Sequence, residues 1–77
     1  MEHDVLDTVV LVHDIPENGL RSGDLGAVVG RYPPDTLEVE FVTASGRTTA
    51  LVSLKDSDVR AIADTDLVAV RTIARSA

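Results

Sequence analysis

The stretch from Gly19 to Val29, GLRSGDLGAVV, constrains this chain more than any other: three glycines, with Ser22 and Asp24 among them, run straight into an apolar segment. Glycine adopts backbone angles that a Cβ forbids, so the pattern predicts a tight turn delivering the chain into a strand at Gly26. That strand, Gly26 to Tyr32, sets Gly26, Val28 and Gly30 on one face and Ala27, Val29 and Arg31 on the other. Glycines inside a strand mark a bulge or a close backbone approach, as the corner of a small barrel requires.

The neighbouring segments repeat the β signal. Leu37 to Val42, LEVEFV, alternates cleanly, with Leu37, Val39 and Phe41 inward and Glu38 and Glu40 outward, and Pro33-Pro34-Asp35 forms the turn before it. Thr48 to Leu54 follows the turn Ala44–Arg47 and predicts a strand with Ala50, Val52 and Leu54 facing the core. Val5 to Val12, VLDTVVLV, is apolar on both faces, so its second row needs cover from the C-terminal segment or from another subunit. Between the first two strands, HDIPENG reads as a loop, with Ile15 and Leu20 tucked into the core at its ends. Lys55 to Asp58 predicts one turn of 3₁₀ helix, and Val59 to Ile62 a short closing strand.

This order, four strands, a one-turn helix and a fifth strand, predicts a mainly β fold: a small five-stranded SH3-like barrel over residues 1–62. A C-terminal extension, 63–77, then packs on the barrel or on a second subunit. As an extra strand it would set Val68, Val70 and Thr72 on one face; as a short helix capped by Asp66 it would align Leu67, Val70, Ile73 and Ala74.

Composition narrows the function classes. A chain of 77 residues buries only about 60% of its unfolded surface, so its stability margin is thin. With no cysteine, disulfides and thiolate zinc sites are excluded, which fits a reducing cytoplasm. The start, MEHDVLDTVV, lacks a basic leader and a membrane-length apolar run, and it reads as part of a soluble mature fold away from any membrane. Thirteen acidic against seven scattered basic residues give a net charge of −6. Nucleic-acid backbones are bound by neutralising phosphates with Lys and Arg, so this balance argues against nucleic acid and for a basic protein partner. Tyr32 and Phe41, the two aromatics, make no base-stacking platform.

The succession LDTVVLVHDIPENGLRSGDLGAVV, followed by LEVEFVTASGRTTALVSLKDSDVRAI, resembles the short prokaryotic proteins grouped as domain of unknown function four-nine-two-six. The likeness rests on Asp14, Ile15, Pro16, Gly19 and Leu20 in the loop, Gly23, Asp24, Gly26, Val28 and Val29 at the turn, and Val39 to Val42. The turn is also similar to that of the nitrile hydratase beta-subunit type and of ribosomal KOW modules. The resemblance implies an SH3-like barrel from about Leu6 to Ile62 and supplies no activity.

No catalytic, cofactor or metal site emerges from the residues. His3 and His13 lie near Asp4, Asp7 and Asp14 in the sequence, without a spacing that makes ligands converge. Ser22, His13 and Asp24 share one loop, but nothing selects them as a nucleophile, base and orienting acid. The glycine turn lacks the Lys-Ser/Thr ending of a phosphate loop and opens a strand. The candidate partner-binding surface is the acidic set Asp14, Glu17, Asp24, Glu38 and Glu40 with Tyr32; the candidate oligomer interface is Val10, Val12, Leu67, Val68, Val70 and Ile73. The expectation is a non-enzymatic protein-binding module, a homodimer through its surplus apolar rows, of the antitoxin or immunity type. The alternatives are an accessory subunit of a larger enzyme and a KOW-like nucleic-acid module.

Overall fold

The structure, a computed structural model, describes residues 2–73. Met1 and residues 74–77, including Ala74 of the helical reading, lie outside the described residues. Five strands form one sheet: β1 (Thr8–Leu11), β2 (Leu25–Tyr32), β3 (Thr36–Val42), β4 (Thr48–Lys55) and β5 (Val59–Ala61). Their order is β4-β3-β2-β1-β5, and every adjacent pair is antiparallel. Two one-turn 3₁₀ segments, Pro16–Asn18 and Asp56–Asp58, complete the regular structure.

The alternation of each strand explains why the sheet curls. Val9 and Leu11 of β1, Val28 of β2, Leu37, Val39 and Phe41 of β3, Leu54 of β4 and Val59 of β5 pack into one core. A flat sheet would need a second layer to cover that face, and the described residues contain no α-helix to provide one. The sheet therefore bends round its own apolar face into a barrel-like unit, with β4 and β5 as its outer strands. The mainly β, five-stranded expectation holds.

Bending is set at Gly26 and just beyond it. A Cβ on Gly26 would stand 2.6 Å from Val39 Cγ1 and 2.9 Å from Phe41 Cε1, closer than packed carbons come. Only glycine lets β2 lie against those two side chains. Between Val28 and Gly30 the β2–β3 register shifts by a bulge, which turns the strand.

The long loop from Val12 to Asp24 is closed on itself. Ile15 and Leu20 exchange two backbone hydrogen bonds of 2.9 and 3.1 Å, and both side chains are buried, as expected. Gly19 ends the 3₁₀ turn in the left-handed region at φ 70°, where its N–H donates to the Pro16 carbonyl.

Three expectations need correction. β1 begins at Thr8 rather than Val5, because Asp7 Oδ2 accepts the Asp4 N–H at 2.9 Å and Leu6 turns to φ 78°, a local turn that wins over strand propensity. β5 stops at Ala61, one residue short of the predicted end. The C-terminal extension is neither strand nor helix over its described residues: a turn at Ala63–Asp66 leads into irregular backbone.

A candidate docking cleft under the C-terminal strap

Residues 62–73 cross the sheet as a strap pinned at two points by arginine. At the first, Arg60 Nη1 and Nη2 donate to the two Asp66 carboxylate oxygens at 2.9 and 2.8 Å. The Ala63 N–H also donates to Asp66 Oδ2 at 2.7 Å, so the turn and the ion pair share one acceptor group. At the second, Arg71 Nε and Nη2 donate to Asp24 Oδ1 and Oδ2 at 2.9 and 2.6 Å, and Nη2 also reaches the Gly19 carbonyl at 3.0 Å. These are fork-on-fork contacts, the geometry in which a guanidinium binds a carboxylate most specifically.

Asp24 is built for this role. Its backbone N–H donates to the Arg21 carbonyl and its Oδ2 accepts the Arg21 N–H, a turn that aims the carboxylate at the strap. Its backbone carbonyl accepts the Leu11 N–H at 2.9 Å, which ties the site to β1. The Arg71 bond, with help from the Arg21 N–H, holds the Asp24 carboxyl below its ordinary value against partial burial. The Arg60 bond and the Ala63 N–H push Asp66 down to about 2.

Between the pins the strap covers little with its own side chains. Leu67 is 92% exposed, Val68 63% and Val70 99%. Ile73 is half-buried and lies over Gly19. Beneath runs a cleft of about 610 Å³, floored by Val10, Leu25, Phe41 and Val42 of the sheet and roofed by the strap.

The remaining predicted residues divide by place. Val10 is buried within the chain, whereas Val12, Leu67, Val68 and Val70 are exposed. Of the acidic set, Asp24 is engaged by Arg71, and Asp14 Oδ1 accepts the Ser22 N–H at 2.8 Å inside the long loop. Glu17 is exposed on the 3₁₀ turn, and Glu40 accepts the Thr48 hydroxyl at 2.6 Å. Tyr32 closes the far end of β2, roughly 20 Å along the strand from Leu25, with Glu38 beside it across Gly30. Asp24 and Tyr32 thus flank opposite ends of β2, with Glu40 between them opposite Ala27.

His13 fastens the long loop to the second 3₁₀ turn. Its Nδ1 lies 3.0 Å from the Asp14 carbonyl and its Nε2 2.8 Å from Asp58 Oδ1, and these contacts raise its pKa above the ordinary 6.5. Both ring nitrogens of His13 and the Asp24 carboxylate are thus engaged with groups other than the Ser22 hydroxyl. His3 is buried against Asp56, whose Oδ1 lies 4.0 Å from its Nε2. Among the described residues no three His, Cys, Asp or Glu side chains converge as metal ligands, and no helix is long and apolar enough to cross a membrane.

Sequence reasoning missed Arg60 and Arg71, which pin the strap, and saw Asp66 only as a helix cap. The available signal was that two of the few cations of an acidic chain flank its last apolar run. No curated protein and no solved structure matches the chain. A family model described as a domain of unknown function, DUF4926, matches residues 5–61.

Proposed function

The chain belongs to the DUF4926 family of domains of unknown function, and from that premise we propose that it is a non-enzymatic protein-interaction module whose cleft under the strap receives a basic partner. One observation carries the reading: a cleft of mixed polar and apolar lining is roofed by a segment that contributes Leu67 and Val70 almost wholly to solvent. A self-sufficient fold gains most by burying such side chains, at about 25 cal/mol per Å² of apolar surface, so their exposure beside a cleft marks a surface that another molecule completes. The net charge of −6 selects a cationic partner and speeds its encounter.

Site-directed photocrosslinking in the native host tests this. A benzophenone side chain at Val42, exposed on the cleft floor, should capture a basic protein, while the same group at Ser53 on β4 should not. Equal capture at both positions, or none at Val42, overturns the proposal. A small basic partner supports an antitoxin or immunity role; a large enzyme chain supports an accessory subunit.

A further inference from the structure

We propose that the acceptor set formed by Asp24 and the Gly19 carbonyl is an arginine-recognition pocket that the chain fills with its own Arg71, and that a partner enters by inserting an Arg-x-aliphatic segment in its place. The inference rests on the docking role proposed above and names the chemistry of the segment that docks.

The pocket is specified before the strap arrives. The Arg21–Asp24 turn fixes the carboxylate, and the left-handed Gly19 aims its carbonyl at the same guanidinium, so three acceptor atoms converge on one fork. Asp14 adds its negative charge to the field felt by Arg71. Lysine, a point charge on a flexible stem, cannot satisfy both carboxylate oxygens and the carbonyl in one plane. Two residues beyond Arg71, Ile73 settles over Gly19, its Cδ1 within van der Waals reach of that position. Arg71 and Ile73, two residues apart, thus both meet Gly19.

The strap is a replaceable occupant. Over its described residues beyond Asp66 it makes no backbone hydrogen bond to the sheet, and Leu67, Val68 and Val70 remain largely in solvent while it is seated. Its release breaks the Arg71 fork, frees Ile73 and opens the cleft floor to a guest. The turn at Ala63–Asp66, anchored by Arg60, stays behind as the hinge. A tethered segment competes at an effective concentration on the order of millimolar, so the pocket admits only a guest of matching chemistry. The tail is thus both the gate of the cleft and a template for its ligand.

A fluorescent heptapeptide with the sequence of residues 67–73, LVAVRTI, tests this on the full-length protein. R71A, in which the internal competitor has lost its fork, should bind the peptide at least tenfold more tightly than the unaltered chain, by about the factor the tether supplies. Replacing the arginine of the peptide by lysine should weaken binding to R71A about tenfold, a control that leaves the protein's fold untouched. Adding D24N to R71A should abolish binding while circular dichroism still reports the sheet. Equal affinity of the unaltered chain and R71A, indifference to lysine, or no saturable binding to R71A by millimolar peptide would overturn the proposal. A dimer of the unaltered chain that R71A dissolves would also overturn it, by seating the tail of a second copy in the pocket. Loss of peptide binding with Val42 crosslinking intact refutes the arginine code alone, whereas loss of the crosslink with peptide binding intact refutes the docking role.

Discussion

The curled sheet and the strap that crosses it are held by opposite physics. In the sheet, Leu37 and Val39 are fully enclosed, ladders satisfy the backbone, and Gly26 permits a contact no other residue allows. In the strap, apolar side chains face solvent and two arginine forks fix the path. The sheet's stability is distributed over many contacts, while the strap's attachment is concentrated in two carboxylates. A region of the first kind specifies a fold; one of the second kind can be unfastened without disturbing it.

The largest test of that contrast is L37A, which removes a wholly enclosed side chain and should cost about 2–5 kcal/mol in urea unfolding. L67A, at an almost fully exposed position, should change the same measurement by less than about 0.5 kcal/mol. Similar losses at both positions would break the distinction. Next comes G26A, whose new methyl would press on Val39 and Phe41 and should cost about 1–3 kcal/mol in urea unfolding; an unchanged midpoint would show that the sheet yields there.

Acid should separate the two regions without mutation. Asp24 and Asp66 both hold their protons less readily than the ordinary 3.8, Asp66 down to about 2. The stabilisation they bring is complete above the ordinary value and is lost as pH falls through the lowered ones. NMR chemical shifts of residues 63–73 should therefore move between pH 3.8 and about 2, ahead of those of β2 and β3. Simultaneous movement of both would tie the strap to the core.

The smallest effect belongs to His13. Its raised pKa means that its stabilising charge is present below 6.5 and is lost as pH rises through the higher folded value. An NMR titration should find its midpoint above 6.5, and D58N should lower it, with little change in thermal midpoint at this exposed site.

The two regions also differ in how far the sequence revealed them. LEVEFV announced β3 because alternation is a local property of successive residues, and Leu37, Val39 and Phe41 all face the core. The glycine turn announced the close approach at Gly26 for the same local reason. The strap followed no local rule: Val68, Val70 and Ile73 suggest a strand, yet Arg71 finds its partner 47 positions earlier, a pairing set only once the sheet has curled. The acidic set was likewise placed by the fold rather than by spacing: Asp14 and Asp24 serve as acceptors within their own loop while Tyr32 and Glu38 stand toward the opposite end of β2. Val5 and Leu6 look like strand residues until Asp4 and Asp7 bind each other's neighbourhood into a turn.

β4, eight residues long, pairs with β3 on one side and with no described strand on the other. Its unpaired backbone row is a template on which a second molecule can stack, and Leu51 adds grease to it. Mutual repulsion among molecules of net charge −6 holds such rows apart at neutral pH. As carboxylates take up protons that repulsion fades, and concentrated solutions of this protein should precipitate through that margin while the fold within each molecule is still intact.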